Sequence, residues 1–409
     1  VEGDVSVTVA KNGRDPVILS AARTPIGKFL GALSTLTAVD LGQVAARAAV
    51  ERAGIDPAEI DEVVLGNVVS AGTGQALPRQ ISLGAGIPDH VGGVAVNKVC
   101  GSGLKAVMIA SSFIKAGDGD LYLAGGVEAM SRAPFLDDTH RLGHKYGHVQ
   151  LRDSLMNDGL WCSLRNWGMG NAAEFIAREL DISREAMDEF ALASHQKAHA
   201  ATTAGKFSAE IVPITIASKK GDTLIETDEP IRPDTSLEAL AKLPPAFEKD
   251  GRVTAGNAPG MNDGAAAVIV ASRAYAERHG RAPLARVVGY GQAAVDPGWI
   301  FYAPVKAIPI ALARAGWTMA DVDLFEINEA FAAQVLADLK GLARDGHELP
   351  PDKLNVHGGA IALGHPLGAS GARVLVTLIH ALRDRGLKRG LAALCLGGGE
   401  AVALAVELE

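Results

Sequence analysis

Cysteine is scarce: the 409 residues contain three, Cys100, Cys162 and Cys395. No CxxC pair exists and an odd number leaves one thiol unpaired, which excludes a disulfide framework and favours a reducing compartment. Aromatic residues make up 5% of the chain, and a formal charge of −8 leaves no basic surface of the kind nucleic acid requires. No apolar run approaches the roughly 18 residues that mark a membrane span. The opening VEGDVSVTVAKNGRD has neither a basic n-region nor an apolar h-region, so residues 1–15 read as a polar extension and not a secretory signal. The expected setting is the cytoplasm, with no nucleic acid and no membrane as partner.

Glycine is plentiful, at 47 residues, and 48% of the chain is hydrophobic. That suffices for a large core spread over more than one unit. VILSA, EVVLGN and LYLAGG read as buried strands. AVDLGQVAARAAVERAG and SGLKAVMIASSFIKAG have helical spacing and close on glycine, where a left-handed cap is easiest. Their alternation predicts α/β layers.

The second half echoes the first in order. ERAGIDPAEID (residues 51–61) matches ARAGWTMADVD (313–323), the helix from Ser102 matches SGARVLVTLIHALRDRG from Ser370, and GGVEA from Gly125 matches GGGEA from Gly397. Three matches in sequence favour duplication over chance likeness of alanine-rich segments. Each half would then leave a face uncovered without the other. The expected division is 16–130 for the first half, 131–252 for an insertion and 253–409 for the second half. The insertion is richer in His, Asp and Pro and holds one clear helix, capped by Ser183 and ending at Gly205.

Reactive residue types occupy corresponding strand ends of the two halves, where α/β proteins place ligands. Cys100 in VCGSGLKAV stands where a strand hands over to a helix, whose unpaired N–H groups favour a thiolate and predict a lowered pKa. Alone it reads first as a buried apolar cysteine. His365 lies in NVHGGAIALGHPLGASG and is pushed away from αR by Pro366. It is a candidate general base, or a loop histidine satisfied by carbonyls. Cys395 precedes three glycines, and the N–H of Gly397 is free for an oxyanion hole, though a strand cysteine is the simpler reading of Cys395 alone. Asn328 in FEINEAFAAQ could cap a helix or fix a water at a reacting carbonyl.

Taken together, VNKVCGSGLKAV, GGVEAMSRAP, TAGNAPGMNDGAA, FEINEAFAAQ, NVHGGAIALGHPLGASGAR and CLGGGEAVA resemble the signature segments of thiolases, the acetyl-CoA acetyltransferases and 3-ketoacyl-CoA thiolases. The likeness runs from about Pro16 to Glu407. It implies the thiolase fold: an α/β protein of two duplicated βαβαβαββ halves in five α-β-α-β-α layers, with an inserted loop domain. It makes Cys100 the nucleophile, His365 its base, and Cys395 the acid/base at the α-carbon of a second thioester. His365 with a water on Asn328 would hold one oxyanion, and the N–H groups of Cys100 and Gly397 the other. CoA and acyl-CoA would enter as substrates, with no tightly bound cofactor and no metal. Arg232 would meet the nucleotide end of CoA, and Met169, Phe247, Phe331 and Pro259 would line the acyl and pantetheine channel. Homodimers or homotetramers are implied.

Several positions depart from the family pattern. His357 stands where biosynthetic members usually have asparagine, Gly168 where histidine is common, Pro259 in place of serine, and FYAP in place of G-x-G-P. His357 is expected either beside His365 as a further ionisable group or as a solvated loop residue. His140, His144 and His148 are spaced by four, but Gly143 and Gly147 oppose the helix that metal ligation would need. Three functions remain: condensation of two acetyl-CoA or its reverse, thiolysis of longer or bulkier 3-ketoacyl-CoA, and non-catalytic CoA binding. A decarboxylating ketoacyl synthase would lack Cys395.

Overall fold

The computed structural model describes residues 13–219 and 221–409. Most of the expected N-terminal extension, residues 1–12, lies outside the described residues. The first half runs β1 (Pro16–Arg23), α1 (Ala38–Ala53), β2 (Glu62–Gly66), α2 (Leu77–Gly84), β3 (Gly92–Val96), α3 (Ser102–Ala116) and β4 (Leu121–Ala129). An insertion follows, with helices α4 (Met169–Glu179) and α5 (Arg184–Thr203). Then come β5 (Asn262–Ser272), β6 (Ala285–Ala294), α6 (Pro304–Ala315), β7 (Leu324–Ile327), α7 (Ala332–Arg344), α8 (Leu367–Arg385), β8 (Arg389–Leu396) and β9 (Glu400–Leu408).

Strand pairing displays the duplication. In the first half β1, β5 and β4 pair antiparallel in turn, and β4, β2 and β3 continue in parallel. In the second, β6, β9 and β8 pair antiparallel, β7 lies parallel to β8, and Leu354 makes a parallel bridge to Phe325 where β3 would stand. The halves join where Val17 and Ile18 of β1 pair with Arg286 and Ala285 of β6. The matched RAG segments end equivalent helices, with left-handed Gly54 (φ 62°) and Gly316 (φ 71°) as the caps.

One expectation is corrected here. The boundary at residue 253 fails because β5 is the strand that links β1 to β4, so the first half closes at Ser272.

Period-two side-chain alternation builds the layers. In β5, Ala265, Ala267, Ile269 and Ala271 face an outer core with α1 and α2, while Ala266, Val268 and Val270 face a central core around α3 and α8. In β8 and β9, Leu391, Ala393, Ala401 and Ala403 face a second outer core with α6 and α7, and Leu394, Val402 and Leu404 face the centre. Helices, sheet, helices, sheet, helices is the five-layer arrangement. The stretch Val99–Ala116 is long and apolar enough, by length and composition, to cross a membrane, contrary to the reading of the sequence. The reason is that α3 is a core helix buried between two sheets.

The central helices α3 and α8 touch at their N-terminal ends through glycines. A Cβ on Gly103 would stand 2.7 Å from the Ala372 nitrogen and 3.0 Å from the Gly368 oxygen, and one on Gly371 would stand 2.3 Å from the Leu104 nitrogen. These are backbone atoms that cannot swing aside. Gly103→Ala is therefore expected to cost about 1–3 kcal/mol of overpacking strain and to separate the residues preceding the two helices. A lower thermal midpoint together with slower thioester chemistry would show it; an unchanged midpoint would contradict the packing argument.

Candidate active site

Cys100 sits on a tight turn between β3 and α3. Val99 carries φ 44°, a left-handed conformation that a β-branched residue adopts at a cost on the order of 1–3 kcal/mol. Neighbours hold it there: Asn97 Oδ1 accepts the Val99 N–H (3.1 Å), while Ser102 Oγ accepts the Lys98 N–H (2.9 Å) and donates to the Val99 carbonyl (2.6 Å). The turn delivers Cys100 to the mouth of α3, half-buried, with hydrogen bonds from its own N–H and from the N–H of Gly397 to the sulfur.

The thiol is nonetheless pushed up, to about 12, chiefly by burial, with the Glu128 carboxyl adding to the effect. This corrects the expected lowered pKa. Two backbone N–H groups do not compensate for the loss of water, and among the described residues no cation acts on the sulfur to help. The resting form is a thiol that must hand its proton to a base.

His365 is the candidate base that the sequence singles out. Its backbone N–H donates to Asn262 Oδ1 (2.8 Å), and Nδ1 lies 2.6 Å from Ser370 Oγ. Ser370 Oγ also lies 2.9 Å from the Pro366 carbonyl, an acceptor that takes the hydroxyl proton. Ser370 Oγ must then accept from Nδ1–H, which assigns the proton to Nδ1 and leaves a lone pair on Nε2. Nε2 is buried with no hydrogen-bond partner among the described residues. Burial, with Arg373 nearby, lowers the imidazole to about 3, so it stays neutral near pH 7. Ser370→Ala would leave Nδ1–H unsatisfied at a cost of about 1–3 kcal/mol, and kcat is expected to fall roughly 10- to 100-fold. Steady-state kinetics showing an unchanged kcat would overturn the tautomer assignment.

Asn328 is fully buried beside this ring, its Nδ2 3.5 Å from His365 Nδ1 and its Oδ1 3.4 Å from Arg373 Nη2. Arg373 is itself buried against Glu326 (2.8 Å).

Cys395 lies at the end of β8, 1% exposed, and Cys100 is among the groups that raise its pKa, burial being the larger cause. The two sulfurs, 295 residues apart in sequence, thus share one site. Cys395 packs in one apolar cluster with Phe331, Ile361 and Ala258, against which Met169 rests. Phe247 meets Phe331 edge-on at 6.1 Å and covers Gly170, where a Cβ would stand 2.2 Å from its ring. Pro259 is half-buried on the loop between Ala258 of that cluster and Met261, which packs in the cluster that also holds Cys100. The four residues expected to line the channel therefore lie in or against the clusters that hold the two thiols. Arg232 does not join them: it is exposed, and its backbone N–H donates to His195 Nδ1 (3.2 Å) on α5.

His357 matches neither expectation. It is buried, meets the Phe207 ring edge-on at 5.8 Å, and is lowered in pKa mainly by burial. The side chain belongs to the contact between insertion and second half, because its loop turns toward α5 there. His140 and His144 lie in an exposed segment bonded to Asp137 and to the Gly147 carbonyl, and no metal-ligating group forms among the described residues.

Several residues that hold the site escaped sequence reasoning. Buried Glu128 accepts N–H bonds from Val68 (3.0 Å), Val69 (3.1 Å), Gly368 (2.8 Å) and the Asn67 amide (2.9 Å), joining β4 to the loop after β2 and the start of α8. Burial raises it to about 7. Its place in the repeated GG-x-E-A motif was the available sign. Ser370 and Asn262 likewise stood inside quoted motifs.

Fold and comparisons define an acyltransferase. The thiolase N-terminal domain model matches residues 16–274 and the thiolase C-terminal domain model residues 281–408, so the chain belongs to the thiolase family. It is 51% identical over 394 residues to an acetyl-CoA acetyltransferase of Cupriavidus necator, covering 96% of this chain and 99% of that one. An acetyl-CoA acetyltransferase of Paracoccus denitrificans is 48% identical, with 96% and 98% covered. Among solved structures, acetyl-CoA acetyltransferases of Syntrophomonas wolfei and Bacillus anthracis superpose with TM-scores of 0.95 and 0.93, each 44% identical and covering 97% of this chain and 99% of the other.

Proposed function

We propose that this thiolase condenses two acetyl-CoA to acetoacetyl-CoA and runs the reverse thiolysis, with Cys100, His365 and Cys395 carrying the chemistry. The observation that carries the reading is the sharing of one site by half-buried Cys100 and buried Cys395, in a fold that also holds a buried imidazole, His365, whose Nε2 is unpaired among the described residues.

In the first half-reaction His365 Nε2 takes the Cys100 proton as sulfur attacks the thioester carbonyl. CoA leaves as thiolate and recovers that proton, leaving acyl-Cys100. In the second, the Cys395 thiolate removes a proton from the α-carbon of the next acetyl-CoA. The carbanion attacks the acyl carbonyl, and Cys100 departs as thiolate and takes up one proton, equal to the one Cys395 released on forming its thiolate, so that both thiols are restored. Thiolysis runs the same steps backwards, with Cys395 supplying the α-proton. The N–H groups of Cys100 and Gly397 serve one oxyanion, and His365 with a water on Asn328 serves the other; losing one such donor costs about 2.7–4 kcal/mol.

CoA enters as substrate, its pantetheine arm passing Pro259 and Met169 and its nucleotide end reaching Arg232. Phe301 of the FYAP segment, 2% exposed, packs on Phe331 at 5.4 Å and fills space beside Cys395, which supports short acyl groups over long ones. Edge strand β3, largely exposed, and exposed Phe135, Leu142, Tyr146 and Leu164 of the insertion support a homodimer or homotetramer. The three free thiols support a cytoplasmic setting. Thiolysis rates on 3-ketoacyl-CoA substrates of increasing length test the substrate assignment. A steep fall beyond the four-carbon substrate is expected; a rate that rises with length would favour the long-chain reading.

A further inference from the structure

Resting on that reading of Asn328 and His365, we propose that Arg373 is a positioning residue for the reaction. It turns the Asn328 amide so that its N–H groups, and not its oxygen, face the water that shares an oxyanion with His365. Arg373 lies on α8, three residues after Ser370 and so on the same face of the helix. Ser370 Oγ lies 2.6 Å from His365 Nδ1, and Arg373 Nη2 stands 3.4 Å from Asn328 Oδ1. One helix face thus addresses both partners of the oxyanion. Arg373 is itself held from β7, where Glu326 Oε1 accepts from Nη1 at 2.8 Å. Asn328 directly follows that strand, its backbone N–H bonded to the Ala393 carbonyl of β8 at 2.9 Å. Two residues apart along extended chain, Glu326 and Asn328 point to the same side, and the guanidinium spans them.

The orientation of the amide follows from donor and acceptor types. A guanidinium has donors and no acceptor, so the atom of Asn328 that faces it is the oxygen. The reversed amide would set N–H against N–H where both side chains are buried. Nδ2 then points the other way, toward His365, 3.5 Å from Nδ1. Nδ1 already gives its proton to Ser370 and has no lone pair to accept with. The Asn328 N–H groups therefore find no acceptor among the described residues and remain for a water. Stability alone is a poor reason for Arg373. Buried Arg23 places Nε on Glu210 at 2.6 Å and Nη1 and Nη2 on Asp228 at 2.7 and 2.8 Å, whereas Arg373 Nε is buried with no partner among the described residues. Apolar residues in place of Arg373 and Glu326 would fill the same volume without that unsatisfied nitrogen, and such exchanges are often neutral or stabilising.

The test is a cycle of variants of the full-length enzyme: Asn328→Ala, Arg373→Met with Glu326→Leu, and all three changes together. Condensation kcat and KM are measured for each, beside the thermal midpoint. Removing the pair is expected to lower kcat by about tenfold or more and to move KM by less than about twofold, because the amide serves charge that develops during reaction and not the bound substrate. The midpoint is expected to stay at or above the parent's. In the Asn328→Ala background the same two changes are expected to cost less than about twofold, since the amide they would misdirect is gone. Arg373→Lys gives a second reading that does not depend on the double variant folding. It keeps a cation for Glu326 but loses the planar fork that spans Glu326 and Asn328, so a smaller kcat loss with the same dependence on Asn328 is expected. Full activity in either variant, a loss carried by KM alone, or a loss of equal size with and without Asn328 overturns the role of Arg373 and leaves the thiolase reading standing. An Asn328→Ala enzyme as active as the parent overturns instead the reading of Asn328 on which the proposal rests.

Discussion

Cys100→Ala is expected to lower kcat/KM for both condensation and thiolysis by about four to six orders of magnitude, the range found when an activated nucleophile is deleted. That is roughly 5–8 kcal/mol of barrier. The size follows from what remains. His365, the Gly397 N–H and the apolar wall of Phe331 and Met169 would still bind and polarise a thioester, but no covalent route divides the reaction into two steps. Because the thiol rests at a pKa of about 12, its proton must leave during attack. Serine at this position would be harder still to ionise, so Cys100→Ser should be as inactive as alanine. The check is CoA release from acetyl-CoA in single turnover. A Cys100→Ala enzyme that still released CoA stoichiometrically would mean that another residue is acylated.

Cys395→Ser should separate the half-reactions. Acylation of Cys100 does not use Cys395, so the burst of CoA should survive. Condensation and thiolysis should both fall by about 10²- to 10⁴-fold, the usual contribution of a general acid/base. Cys395 is 1% exposed and fills a packed cluster, and serine keeps its approximate size, so the thermal midpoint should change little. Rapid-quench kinetics read both phases. Loss of the burst along with turnover would place Cys395 in the acylation step and contradict the division of labour.

Much of this architecture was readable from the residues. The RAG caps, the paired Ser-Gly helix starts and the GG-x-E-A strand ends are local devices, and local devices repeat visibly when a fold is duplicated. The pairing of β5 with β1 and β4 is not local. Asn262–Ser272 follows the insertion in sequence and completes a sheet begun 246 residues earlier at Pro16, which no nearby residue records. Burial was similarly hidden. The helix start before Ser102 pointed to a low thiol pKa, whereas the packing that raises it comes from Leu396 and Val402 against Gly101 and from the second half at large. Cys100, His365, Cys395, Asn328 and Gly397 could be singled out because each sits in a glycine-rich or strand-end segment. Ser370 stood in plain view as a repeated helix start, but nothing local tied it to an imidazole. Its part in the site becomes legible only beside His365.

The most direct test is to find where the acyl group rests. With isotopically labelled acetyl-CoA, rapid acid quench and peptide mass spectrometry, label should appear at one per active site on the peptide carrying Cys100, in the parent and in Cys395→Ser alike, and should vanish when free CoA is added. Label on the Cys395 peptide, or full turnover with no labelled cysteine at all, would contradict the convergence of two distant thiols and one histidine on a single thioester carbonyl.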